Sequence, residues 1–184
     1  MASTETKLTY ESYLKTPDDE RYELLDGELL VMEPAPLTAH QYVLGNLHLA
    51  MRIFSDERNL GEVYISPTDV VLSDTDVVQP DLLFVSSKRA HIVTRENIQG
   101  APDLIVEVLS PSTAERDRTL KLDLYARHGV KEYWLVDPNA KTAMVLLLGD
   151  HRFETVGTYG EGQTLASPTL AGFSLNLAGQ FRRG

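Results

Sequence analysis

Three ionisable residues stand where the surrounding pattern asks for apolar ones. Glu107 interrupts the run Leu104, Ile105, Val106, Val108 and Leu109, which reads as a strand covered on both faces. An unpaired ionised carboxylate there costs several kcal/mol, so it calls for a cation, a metal ion or a raised pKa. Asp81 directly follows Pro80 inside the apolar segment from Val77 to Val85. Proline cannot donate to a ladder, so it marks a strand edge or bulge where the backbone bends and re-aims a side chain. Lys121 falls on a helix read from Thr113 to His128. At about 100° per residue, Leu120, Leu124 and Tyr125 define its inward arc, and Asp117, Lys121 and His128 lie inside that arc. A plainer reading has Lys121 snorkelling to solvent and pairing with Asp117, four residues earlier.

Chain geometry brings these groups together. From Glu107 the strand rises roughly 7 Å to its end, and the helix from Thr113 to Lys121 descends roughly 12 Å. The two Cα atoms then differ in height by about 5 Å, and helical side chains lean toward the N-terminus, so the ammonium can reach Glu107. With Asp81 on a neighbouring strand, two acids and a lysine converge at one end of a sheet. Hard oxygen donors of this kind suit Mg²⁺ or Mn²⁺, which keep several waters and accept phosphate oxygens. The chemistry implied is hydrolysis of a phosphodiester, with Asp81 and Glu107 as metal ligands and Lys121 stabilising developing charge or orienting water.

The elements that must position these residues are legible along the chain. "LTYESYL" reads as a short helix with Thr9 as N-cap, ended by "KTPDDE", and "RYELLDGELLVME" as a β-hairpin turning at Asp26-Gly27. After the break "EPAPLTAHQ", Val43, Leu44, Leu47, Ala50, Met51 and Phe54 recur at helical spacing from Thr38 to about "SDERNLG". Strands follow at "EVYIS", "DVVLS" and "VVQPDLLFV", then an irregular link with about one turn of helix over "SSKRAHIVTRENIQGA". Ser112 and Glu115 match a capping box for the helix after the Glu107 strand, and Gly129 stops it. "EYWLV" completes a strand, helix, strand unit with the signature of a right-handed parallel crossover. The tail reads as a hairpin turning at Gly149-Asp150 and a short apolar closing segment.

The chain has 184 residues, 42% hydrophobic and 24% charged, which suits one domain over 1–184 with a disordered tail at 1–8. It contains no cysteine, so disulfides, thiolate zinc sites and cysteine nucleophiles are excluded. No secretory signal or membrane-length apolar run occurs, so the expected location is cytoplasmic, without membrane association. A net charge of −10 argues against a broad basic surface for nucleic acid, though bound cations reverse the potential locally in a metal-dependent nuclease.

"YELLDGELL", "VVQPDLLFV", "PDLIVEVLSPSTAERDRTLKLDLYARHGVKEYWLVDP" and "VGTYGEGQTL" resemble the Uma-two family of restriction endonucleases, within the PD-(D/E)XK nuclease superfamily. The resemblance runs from about Tyr22 almost to the C-terminus. It implies an α/β, restriction-endonuclease-like mixed β-sheet flanked by helices, with additional N- and C-terminal β-hairpins, and Mg²⁺ or Mn²⁺ as cofactor. Pro80-Asp81 fits the first half of the superfamily motif. Glu107-Val108-Leu109 fits the second, except that leucine stands where lysine is expected, and Lys121 is the residue that takes its place. The function implied is metal-dependent cleavage of nucleic acid, in the first instance DNA. The alternative is a noncatalytic nucleic-acid-binding or regulatory module that keeps the fold.

Other candidates read more blandly. Glu23 and Glu28 flank the hairpin turn and are auxiliary acids only if the hairpin folds over the cleft. Asp103 and Asp137 read as turn residues, and His40 and His48 as parts of a polar helix surface. Exposed strand edges in a short mixed sheet suggest a homodimer.

Overall fold

Asp26 and Gly27 both adopt positive φ, 52° and 81°, so the chain reverses in the mirror-image turn that suits the twist of a hairpin. A Cβ on Gly27 would come within 2.6 Å of the Lys7 Cβ, which fixes glycine there a second time. The structure is a computed structural model describing residues 7–17, 19–32 and 36–181. Lys7 and Leu8, expected in a disordered tail, are instead tied to the hairpin. The Lys7 amine pairs with Asp26 at 2.6 Å and the Leu8 N–H donates to the Gly27 carbonyl at 2.9 Å. The rest of that expected tail, 1–6, and the breaks expected around 18 and 33–35 lie outside the described residues.

In chain order the elements are α1 (Tyr10–Tyr13), β1 (Tyr22–Leu25), β2 (Glu28–Val31), α2 (Thr38–Arg58), β3 (Gly61–Ile65), β4 (Val70–Ser73), β5 (Asp76–Val78) and β6 (Leu82–Ser86). A 3₁₀ turn over Ser87–Ile92 leads to β7 (Ile98–Gln99), β8 (Leu104–Val108), α3 (Ala114–Arg118), α4 (Leu120–His128) and β9 (Glu132–Asp137). The chain closes with β10 (Thr142–Leu148), β11 (Phe153–Gly160), β12 (Thr164–Ala166) and β13 (Ser174–Asn176). A six-stranded sheet has the order β11-β10-β9-β8-β6-β3, and a five-stranded sheet the order β2-β1-β5-β4-β7. β8 and β9 are parallel, as the crossover requires, whereas β6 lies antiparallel to β8. The N-terminal hairpin is thus the edge of a second sheet, and β10 and β11 extend the first. No helix among the described residues is long and apolar enough to cross a membrane.

Two expected elements divide. "VVQPDLLFV" is not one bent strand: β5 belongs to the five-stranded sheet and β6 to the six-stranded one, with Gln79, Pro80 and Asp81 between. Proline has no N–H for the ladder, so the pairing stops there and the chain crosses between sheets. The helix from Thr113 to His128 breaks at Thr119, whose φ of −126° and ψ of −83° leave the helical region. Its hydroxyl donates to the Glu115 carbonyl at 2.7 Å, the local bond by which threonine competes with the helix ladder. The break shifts the wheel, so Leu120 is 60% exposed while Lys121, Leu124 and Tyr125 stay buried. The Ser112 capping box does not form. Thr113 is the cap, bracketed by Ser110, whose hydroxyl accepts the Thr113 N–H at 3.2 Å.

Both faces of the six-stranded sheet are covered, which is why β8 carries no polar alternation. Leu104, Val106 and Val108 turn toward the cluster of Val43, Leu44, Leu47 and Met51 from α2. Ile105 turns the other way, into a cluster with Leu124 and Tyr125 of α4 and with Leu25, Val70 and Val78 of the five-stranded sheet. Each such fully buried aliphatic side chain contributes about 1.5–3 kcal/mol relative to exposure. Since successive strand residues alternate, Glu107 shares the face of Ile105 and points at α4.

Candidate active site

Leu82 on β6 pairs with Val106 on β8, which sets Asp81 alongside Glu107 at the same sheet end. The Asp81 N–H donates to Glu107 Oε2 at 3.3 Å, and the Val108 N–H donates to Asp81 Oδ2 at 2.8 Å. Lys121 Nζ donates to Glu107 Oε1 at 2.9 Å, and the Tyr125 hydroxyl reaches the same oxygen at 2.8 Å. The anticipated meeting of strand carboxylate and helix ammonium is therefore present, although the intervening helix is broken.

Glu23 is brought in by the five-stranded sheet. β1 is buried along Glu23, Leu24 and Leu25, and Glu23 Oε1 lies 2.9 Å from Lys121 Nζ and accepts the Gln79 N–H at 2.9 Å. Glu28, across the turn and paired with Leu25, is exposed and takes no part. Asp117 sits 3.7 Å from the same amine, so the pairing expected within the helix occurs, but buried rather than at the surface. His40 is a correction to the sequence reading: it is 7% exposed, and its Nε2 lies 3.1 Å from Asp81 Oδ2. It falls three and four residues before Val43 and Leu44, on the buried stripe of α2, a spacing that could have marked it. Asp103 is likewise no turn residue. It is buried, bonded to Lys131 at 2.6 Å and to the Ser86 N–H at 2.8 Å. Asp137 does cap a turn, accepting the N–H groups of Asn139 and Ala140 at 2.9 and 3.0 Å.

Charge does not balance at this sheet end. The carboxylates of Glu23, Asp81, Glu107 and Asp117 line one cleft of about 440 Å³, and Lys121 is the ammonium among them. Burial pushes the Glu107 pKa up to about 8; Lys121 works against this, while Asp117, Asp81 and Glu23 reinforce it. Burial also raises Asp117, again against Lys121. For Lys121, burial opposes the charge, but Glu107, Glu23 and Asp117 outweigh it and hold the amine protonated well above its usual range. An isolated ion pair would lower the acid as it raises the base. Here the acid rises too, because burial outweighs a cation that is divided among several carboxylates.

That surplus is the ground for testing a divalent cation against the site. Glu23 Oε2 and Asp117 Oδ1 are buried without a hydrogen-bond partner among the described residues, and the donors are hard oxygens. Among the described residues no group of three or more His, Asp or Glu side chains is already arranged to hold a metal ion. Hard carboxylate oxygens with unspent acceptor capacity are of the right chemistry for a Mg²⁺-like ion, which binds through one or two carboxylates with waters and substrate oxygens completing the shell.

A sheet covered on both faces, with acids and a lysine gathered at one end of a parallel crossover, defines a restriction-endonuclease-like α/β protein. The chain superposes on a crystal structure from Anabaena variabilis ATCC 29413, described as "a putative nuclease belonging to DUF820", with a TM-score of 0.77 at 20% identity over 92% of this chain and 95% of that one. The family model Uma2, described as "Putative restriction endonuclease", matches residues 9–178, and the chain belongs to that family. Among curated proteins, none matches the chain.

Proposed function

We propose that the protein is a metal-dependent endonuclease that hydrolyses phosphodiester bonds in DNA. The observation that carries this reading is the position of Lys121 Nζ, 2.9 Å from both Glu107 and Glu23, in a cleft that Asp81 also lines. Asp81 and Glu107 are the residues to hold Mg²⁺ or Mn²⁺, which when bound polarises the phosphoryl group and makes a bound water acidic. Lys121 is an ammonium and cannot abstract a proton; it orients water and offsets charge developing on the phosphoryl oxygens. Glu23 holds that ammonium in place and retains Oε2 as a free acceptor among the described residues. His40 steadies Asp81 from α2, as hydrogen-bonded outer partners steady metal ligands generally.

The noncatalytic alternative rests on the displaced lysine and on the acidic net charge, and an ammonium in contact with Glu107 lessens the weight of the first. Cleavage assays with Mg²⁺ or Mn²⁺ on plasmid, linear and oligonucleotide substrates test the proposal. Wild type is expected to cut, and Glu107→Gln to lower the rate by at least about 10²-fold while keeping its far-UV spectrum. A wild-type protein inert on all DNA and RNA tried, with either ion, overturns it.

A further inference from the structure

Two guanidinium groups line the cleft, Arg21 and Arg116, and neither has a carboxylate partner among the described residues. Arg21 is nevertheless fixed. Its Nε and Nη2 donate to Gln79 Oε1 at 2.9 and 2.6 Å, and Nη2 also donates to Ser66 Oγ at 3.0 Å. Gln79 is itself anchored through Nε2 to Asp69 Oδ1 at 2.8 Å. Neutral partners thus orient the fork without cancelling its charge. Arg116 precedes the buried Asp117 on α3, whereas Arg118, two residues on, is already paired with Asp137 at 3.6 Å. The fixed guanidinium of Arg21 and that of Arg116, neither paired with a carboxylate among the described residues, are suited to phosphates on either side of the one being attacked.

The same mouth is apolar. Met32, Leu37 and Ile65 line it, and Leu37 is 63% and Ile65 37% exposed. Phosphates make no use of such surface, but the face of an unpaired base or a sugar does. A volume of about 440 Å³ falls in the range that encloses a drug-sized ligand, about one nucleotide. Specific duplex recognition instead buries about 1,000–2,500 Å² of strongly basic surface. This chain carries 17 Lys and Arg against 27 Asp and Glu.

Resting on the nuclease reading above, we infer that the cleft takes an unpaired DNA strand, with Arg21 and Arg116 gripping the flanking phosphates and the apolar mouth covering a base. Both arginines are positioning residues for the strand. The footprint is short, so binding follows the backbone and the unpaired state rather than a long sequence.

The test is fluorescence anisotropy of a labelled single strand of mixed sequence, and of the same strand annealed to its complement. It uses the Glu107→Gln protein with Mn²⁺, beside cleavage of both substrates by wild type. The single strand is expected to bind and be cut at least about tenfold better. Arg21→Ala and Arg116→Ala, melting as the parent does, are each expected to weaken binding about three- to tenfold, with the loss in KM rather than kcat. Each also lowers the slope of log affinity against log salt by about 0.7, and lysine replacements restore that slope without restoring the full affinity. Equal or tighter duplex binding, or a salt slope unmoved by both alanines, overturns the inference. Wild type that cuts duplex and single strand alike sinks it while sparing the nuclease reading. Arginine-dependent strand binding without any cleavage upholds it and sinks the nuclease reading instead.

Discussion

At one end of β8, Asp103 is enclosed by Lys131 at 2.6 Å, Arg89 at 3.4 Å and the Ser86 N–H at 2.8 Å. At the other end, Glu107 shares the single amine of Lys121 with Glu23 and Asp117. Both side chains are shielded from solvent, Glu107 within β8 and Asp103 just before its first residue. Burial works to raise Asp103, yet Lys131, Ser86 and Arg89 outweigh it and hold its pKa below the usual carboxylate range, while Glu107 goes up to about 8. Cations exceed acids at one end and acids exceed cations at the other. The first arrangement secures the fold; the second leaves negative charge that a proton or an added cation can offset. Deeper burial and the ratio of partners together separate the two roles.

The largest expected break in this contrast is Lys121→Met. It leaves Glu23, Glu107 and Asp117 without their cation and is expected to cost about 3–5 kcal/mol in urea melts at pH 8. The cost shrinks toward pH 5, well below the raised pKa of Glu107, where that carboxyl is protonated. A loss independent of pH would mean that packing, not charge, holds the lysine there.

Next comes stability against pH with and without Mn²⁺. Folding raises the Glu107 pKa from 4.5 to about 8, so the stability this group adds is complete below 4.5 and is lost as pH climbs to about 8. Asp103 has the opposite sign. Its contribution is present above its unfolded value of 3.8 and disappears only as pH falls through the lowered folded value. Metal-free protein is therefore expected to melt lower from pH 5 to 8, and Glu107→Gln to flatten that decline. Mn²⁺ at about 100 times its Kd restores about 2.7 kcal/mol, or roughly 5–10 °C, near pH 8. Identical melting curves with Mn²⁺ and with EDTA would remove the cation from the site.

Asp103→Asn sharpens the comparison from the other side. It forfeits charge-assisted hydrogen bonds worth about 1.5–3 kcal/mol, yet cleavage below the melting temperature is expected to match wild type. Glu28→Ala is the smallest change, within about 0.5 kcal/mol and without effect on cleavage, since its side chain is exposed on the hairpin. A rate loss in Glu28→Ala would return it to the candidate acids.

The sequence declared the features that local chemistry decides. Asp26-Gly27 could take two positive φ values, Gly129 could end α4 at a φ of 81°, and the run around Glu107 could only be a doubly covered strand. Hidden were the features that depend on which sheet lies opposite. Glu23 looked like a solvated hairpin acid because nothing local says that β1 joins β5 and turns inward toward Lys121. The break at Thr119 carries no proline or glycine to announce it. His40 was concealed by its type, since its spacing already placed it with Val43 and Leu44.

Lys121 bonds Glu23 from the smaller sheet and Glu107 from the larger, so its amine is a rivet through the seam between them. A transient parting of that seam would dismantle the pocket while each sheet kept its own ladder intact. Exchange of the Gln79 amide, which donates to the Glu23 carboxylate that Lys121 holds, then measures the fraction of time the cleft exists at all.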